Sequence, residues 1–238
     1  MIITNPTRND GFGAQYQNVL FTALYSELTN NKFVYTPFKE MEHNYNNDPT
    51  FLAKKESFIN LKESKYKYNN EQDIKVLDNS TIYNYVESNI DTCLKTETLK
   101  YFRDRLSSKN PYNTDLLNIA VHVRVFNSND TREFSKSNPL TCKKVIEKII
   151  DSIGHSNYRI HIYSQGRIQD FEIFKNPNTI FHLNDSVEST FCGFLYSNIL
   201  LTAKSSLSYV AGLLSDQTRV HYFPFWHKCP TNWIPEKF

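Results

Sequence analysis

Apolar residues recur along this chain at two periods, and the alternation between them marks out its elements. Met1–Thr4 is a short apolar run that predicts a first strand, followed by a turn-rich loop from Asn5 to Gly13. Val19, Leu20, Ala23, Leu24 and Leu28 then return at helical spacing, predicting a helix from Ala14 to about Thr29. Phe33-Val34-Tyr35 before Pro37 reads as a second strand. Residues 39 to 80 are polar and rich in lysine and asparagine, with a short strand expected within Asp73–Leu77. Ser80 to about Leu106 is expected to be helical, and the Ser107–Thr114 turn cluster around Pro111 is the natural boundary between two domains.

The second half is more regular. Leu116–Val125 places Ile119, Val121, Val123 and Val125 at period two, as in a buried strand. A polar loop, Phe126–Asn138, leads to Pro139, a favoured first residue of a helix, whose buried face is Val145, Ile146, Ile149, Ile150 and Ile153. Strands are expected at Arg159–Ser164, Thr179–Leu183, Ile199–Thr202 and Arg219–Phe223. The helices between them are expected near Ile168–Phe174 and at Val187–Tyr196 and Ser206–Leu214. Strands alternating with helices predict an α/β protein whose second half is a doubly wound parallel sheet of about five strands.

Composition narrows the chemistry. The chain has 238 residues and a formal charge of +2, which gives no polyelectrolyte signature for nucleic-acid binding. Four scattered cysteines, Cys93, Cys142, Cys192 and Cys229, show neither a CxxC nor a metal-ligand spacing, and fit a reducing compartment. No segment has the length of apolar sequence needed for a membrane span, so a cytoplasmic protein is expected. Two of only six glycines fall together at Gly11 and Gly13, in a loop that matches neither GxGxxG nor a phosphate loop.

Open α/β sheets bind ligands beyond the carboxyl ends of their strands. That rule selects His122 and Arg124, then Ser164 and Gln165 before Gly166, then Asn184 and Asp185, then Lys204, Ser205 and Ser206 at a helix start. An arginine fork at a strand end suits a phosphate, and hydroxyls with free amides at a helix N-terminus suit an anion. Each serine taken alone is equally well an ordinary N-cap, and the Arg124 strand taken alone is equally well half-buried with one solvated face.

Gly11-Phe-Gly-Ala-Gln15, His122-Val-Arg124 and Ser205-Ser-Leu-Ser-Tyr-Val-Ala211 occur in the order of the GxGNQ-like, HxRxGD-like and SxxSxxA-like segments of fucosyltransferase-like glycosyltransferases. The chain resembles that superfamily over residues 11–28 and about 117–215. The resemblance implies a GT-B architecture, two Rossmann-like domains facing a cleft. Residues 1–114 would form the acceptor-side domain and 115–238 the nucleotide-sugar domain. It implies an inverting transfer, without a metal or other cofactor, from a nucleotide sugar to a glycan hydroxyl. GDP-fucose is the default donor and UDP-xylose the alternative; a non-catalytic sugar-nucleotide binder is the competing class. Arg124 would hold the diphosphate, with His122, Lys204, Ser205 and Ser206 beside it, and Gly11 and Gly13 would let the N-terminal loop approach the donor. Asp10 stands where some protein O-fucosyltransferases carry the base, with Glu133 and Asp185 as further candidates; as a structural residue Asp10 would simply start a turn. The chain departs from the family in Val125, where a second arginine is frequent, in Phe126-Asn127 for Gly-Asp, and in Ala14 for Asn. Large DNA viruses carry divergent enzymes of this arrangement, which would place the protein in a host cytoplasm. The run Tyr222-Phe-Pro-Phe-Trp226-His227 fits either a core plug or a stacking surface for a sugar or base.

Overall fold

The computed structural model describes residues 1–61, 74–125, 136–154 and 157–237. The chain forms two compact units, Met1–Ser108 and Lys109–Phe238.

The first unit is a three-stranded parallel sheet in the order β2-β1-β3, from β1 (Ile2–Thr4), β2 (Lys32–Val34) and β3 (Ile74–Val76). Its main helix, α1 (Phe12–Leu28), is buried on nearly every side, as expected for a helix with Glu27 as its sole charged residue. Tyr16, Leu20, Phe21 and Leu24 fill the core with Ile3, Phe33 and Phe102. The Glu27 carboxylate is spent on the start of another helix, accepting from the amides of Glu97 at 3.3 Å and Thr98 at 2.8 Å.

Two expectations for this unit need correction. α1 starts at Phe12, so the loop is shorter than its glycines suggest and Gly13 lies in the first turn. Phe12 is drawn into the helix by burial against Tyr16 and Phe58, with ring centroids at 5.5 and 6.1 Å. The single helix expected over Ser80–Leu106 is instead three: α3 (Asn79–Ser88), α4 (Ile90–Cys93) and α5 (Glu97–Arg105), preceded in the chain by α2 (Phe51–Ile59). Asn89 leaves the helical region and ends α3, and Thr96 restarts the chain as an N-cap, accepting from Leu99 N at 3.3 Å.

The second unit is a six-stranded, wholly parallel sheet. Its strands are β4 (Leu117–His122), β5 (Tyr158–Ser164), β6 (Thr179–Leu183), β7 (Ile199–Leu201), β8 (Arg219–Tyr222) and β9 (Ile234–Pro235), in the order β6-β5-β4-β7-β8-β9. β9, a two-residue edge strand holding a proline, is the strand the periodicity does not show. Helices cover both faces. α6 (Pro139–Ile153) packs Val145, Ile146 and Ile149 on Ile119, Val121, Ile160 and Ile162, with the 3-10 helix Ile168–Phe174 beside it. α7 (Val187–Tyr196) and α8 (Ser206–Leu214) lie on the other face, where the even-numbered residues of β4 point. Counted within this unit the order is third-second-first-fourth-fifth-sixth, so the winding reverses between β4 and β7. The crevice at such a reversal is where doubly wound sheets bind ligands. Among the described residues, no helix is long and apolar enough to cross a membrane.

Candidate functional site

β4 and β7 are neighbours, with Val121 opposite Leu201, so the residues that follow them emerge side by side. His122 and Arg124 come from the first strand and Lys204, Ser205 and Ser206 from the second. The Arg124 guanidinium donates from Nη1 to the Lys204 carbonyl at 2.9 Å, which fixes it at the start of α8. The chain at that point is held from three directions. Arg124 N donates to Ser137 Oγ and Ser137 N to Arg124 O, each at 2.9 Å, and Ser164 Oγ donates to Val123 O at 2.6 Å. Three of the strand-end residues named from sequence, Arg124, Ser164 and Lys204, are therefore tied to one another or to adjoining backbone. A pre-positioned cation at a helix N-terminus can neutralise developing negative charge without first reorganising.

His122 is half-buried, its ring 5.0 Å from that of Phe194. Burial, and then the neighbouring Arg124 charge, push its pKa down from 6.5 to about 3, so the imidazole is neutral. Nδ1 lies 2.9 Å from Ser208 Oγ, which accepts from Ala203 N at 3.2 Å and is 3.5 Å from Ser205 O. Ser208 is a site residue that sequence reasoning passed over. Its signal was its place on α8, one turn after Ser205 and on the same face.

Ser205 acts as the N-cap of α8, its hydroxyl accepting from Leu207 N at 3.3 Å. Ser206 is buried and its hydroxyl lies 3.3 Å from His227 Nε2. What this turn can offer an anion is therefore backbone N–H and helix dipole more than serine hydroxyls.

The ends of β5 and β6 are clasped together. Gly166, at φ +124, donates its N–H to Asn184 Oδ1 at 3.0 Å, and Asn184, at φ 61, returns Nδ2 to Gly166 O at 2.9 Å. Gln165 and Asp185 are exposed beside this clasp. Asp185 lies 3.4 Å from His182 Nδ1, at the mouth of a polar chain that crosses the sheet face. His182 Nε2 is 3.0 Å from His161 Nδ1, and His161 Nε2 is 3.1 Å from Asn118 Oδ1. Asn118 Nδ2 donates to Asn113 O and Leu116 O, so its oxygen faces His161. His161 Nε2 must then carry a proton, its Nδ1 must accept, and His182 must donate from Nε2. A neutral His182 thus turns a bare nitrogen toward Asp185, in keeping with that longer distance. Burial pushes His182 down while Asp185 pulls it back up; burial, then His182 and Arg159, push His161 down to about 4.

Asp10, Gly11 and Gly13 belong to the first unit. The Asp10 carboxylate is half-buried, accepting from Gly11 N at 2.7 Å and from Arg8 Nη2 at 3.2 Å, as a residue that starts a turn does. Gln15 Nε2 secures the loop by donating to Asp10 O at 2.8 Å and Glu40 O at 2.7 Å. Gly11 has φ −65, and a Cβ there would meet the ring of the exposed His43, which would have to turn aside. A surface recess bordered by Glu27, Asn31, Phe33 and Tyr101 opens at the amino end of β2, opposite to the end where such sheets take ligands. Glu133 and the Phe126-Asn127 departure lie outside the described residues. Among the described residues, no group of three His, Cys, Asp or Glu side chains is arranged to hold a metal ion.

No family model and no curated protein matches the sequence. Two solved structures resemble the chain in trace. One is NodZ α-1,6-fucosyltransferase soaked with GDP-fucose, with a TM-score of 0.44 and 11% identity over 90% of this chain and 92% of that one. The other is the E. coli ADP-heptose LPS heptosyltransferase II, with a TM-score of 0.45 and 11% identity over 97% of this chain and 88% of that one.

Proposed function

We propose that this chain is a glycosyltransferase that moves a sugar from a nucleotide sugar to a glycan hydroxyl, with inversion and without a metal. GDP-fucose is the first donor to test and UDP-xylose the second. The observation that carries this reading is the Arg124 guanidinium bonded to the Lys204 carbonyl at the N-terminus of α8, at the reversal point of a doubly wound sheet. A diphosphate leaving group needs a fixed fork of donors and a positive helix end, and this corner supplies both. The second unit would bind the donor and the first would present the acceptor, as two Rossmann-like domains of a GT-B enzyme. Asp10 would take the acceptor proton, with Asp185 and Glu133 as alternatives, and attack in line with the departing diphosphate would invert the anomeric carbon. Four free cysteines suit a cytoplasmic setting.

A non-catalytic nucleotide-sugar binder is the second reading. It is favoured by Val125, which packs against the apolar cluster under β4 where the family often has another arginine.

A thermal-shift screen with GDP, UDP and their sugars comes first, because a ligand held only by the native state raises the melting temperature. Nucleotide release on adding a glycan acceptor then separates enzyme from binder. Arg124→Ala should lower that release by ~10²–10³-fold with the fold intact. Normal turnover by that variant would refute the site.

A further inference from the structure

The aromatic run that begins at the end of β8 divides in two. Tyr222, Phe223 and His227 are buried, whereas Trp226 is 58% exposed. The exposed indole is not loose. It stacks on Phe225 with centroids 3.9 Å apart and planes at 26°, and its N–H donates to His227 Nε2 at 2.8 Å. An indole nitrogen can only donate, so His227 carries its own proton on Nδ1, and the Ser206 hydroxyl oxygen lies 3.3 Å from the same Nε2. His227 is stacked in turn on Tyr209 at 4.2 Å. The turn itself is fastened by the Tyr222 hydroxyl, which donates to His227 O at 2.7 Å and accepts from Phe225 N at 3.0 Å.

An exposed tryptophan whose polar atom is satisfied inward and whose ring is clamped presents little but a flat apolar π surface. Such a surface discriminates by shape, and its complement is another flat ring. His227, which holds the indole, lies against Ser206, the first residue of α8, two positions after the Lys204 carbonyl that holds Arg124.

We propose that Trp226, backed by Phe225, is the platform on which the base of the nucleotide stacks. This rests on the reading that places a nucleotide diphosphate at Arg124. Stacking on an aromatic ring tolerates any base, so Trp226 sets affinity for the nucleoside part and not the choice between guanine and uracil.

The test titrates GDP, UDP and inorganic pyrophosphate into the full chain, its Trp226→Ala variant and its Trp226→Phe variant, by calorimetry. Because Trp226 is exposed, both variants keep the core. Trp226→Ala should bind the tighter nucleotide about 10- to 100-fold more weakly and leave pyrophosphate unchanged, while Trp226→Phe stays within about threefold. In the wild type, nucleotide should quench the Trp226 emission, against Trp233, which is buried. Unchanged nucleotide binding by Trp226→Ala would overturn the platform and leave the diphosphate site standing. An equal loss of nucleotide and pyrophosphate would also overturn it, by showing that Trp226 merely supports α8. Failure of all three probes to bind the wild type would remove the transferase reading and the platform with it.

Discussion

Acid should weaken this protein through His122, by an amount that follows from its surroundings. In the unfolded chain the imidazole takes up a proton as the pH falls through 6.5; in the fold, desolvation and Arg124 delay that uptake to about 3. The stability this residue contributes is therefore complete above 6.5 and is lost as the pH falls toward 3. Each unit of that interval corresponds to about 1.4 kcal/mol, so at pH 4.5 roughly 2–3 kcal/mol present at pH 7 has gone. His161, whose pKa is lowered to about 4, acts in the same direction. Urea unfolding at intervals between pH 7 and 4.5, on wild type and His122→Asn, isolates the His122 share. Asparagine can still meet the Ser208 hydroxyl but does not titrate. The wild type should lose roughly 2–3 kcal/mol more across that range than the variant. Parallel curves would refute the account of a neutral imidazole held beside Arg124.

Two further substitutions test the packing of the second unit. Gly193→Ala would drive a methyl group into the Tyr163 ring, which is 1% exposed, stacked on His182 at 4.3 Å and edge-on to Phe194 at 5.2 Å; with no direction for the ring to yield, urea titration should show a loss of about 1–3 kcal/mol or more. Glu236 is 5% exposed and joins His221 Nδ1 at 2.7 Å to Lys148 Nζ at 3.0 Å. Glu236→Ala would strand the His221 N–H in the interior and should cost about 1–3 kcal/mol, detected by the same titration, with amide exchange faster in β8 and β9.

Residues with local partners announced themselves in the sequence. Ile119, Val121 and Val123 alternate because one face of β4 meets α6, and α6 opens on Pro139 as expected, with Asn138 as its cap and Gly154 as its left-handed stop. The strand-end rule selected His122 and Arg124 because the chemistry of a parallel sheet lies at one end. Features built from distant pairings left no such trace. Nothing in the sequence links His161 to His182, and their chain to Asn118 exists only once β4, β5 and β6 align. Gly193 carried no turn signal, since its role is to admit the Tyr163 ring from another element. Asn89 broke a helix that its neighbours' apolar spacing would have continued.

In each unit an interior strand of the sheet, paired on both sides, is the first to leave the ribosome. Ile2 waits for Lys32 and then Ile74, and Ile119 waits for Tyr158's strand and then for Ile199. Until those arrive, β4 is a bare apolar ribbon with both edges unpaired, the kind of segment that other chains can capture. Distant pairings must be closed before any contact rewards them, so both edges of β4 are covered only once β5 and β7 have been made. The strand that leads to Arg124 is thus the one most in need of shielding while the polypeptide is still being made.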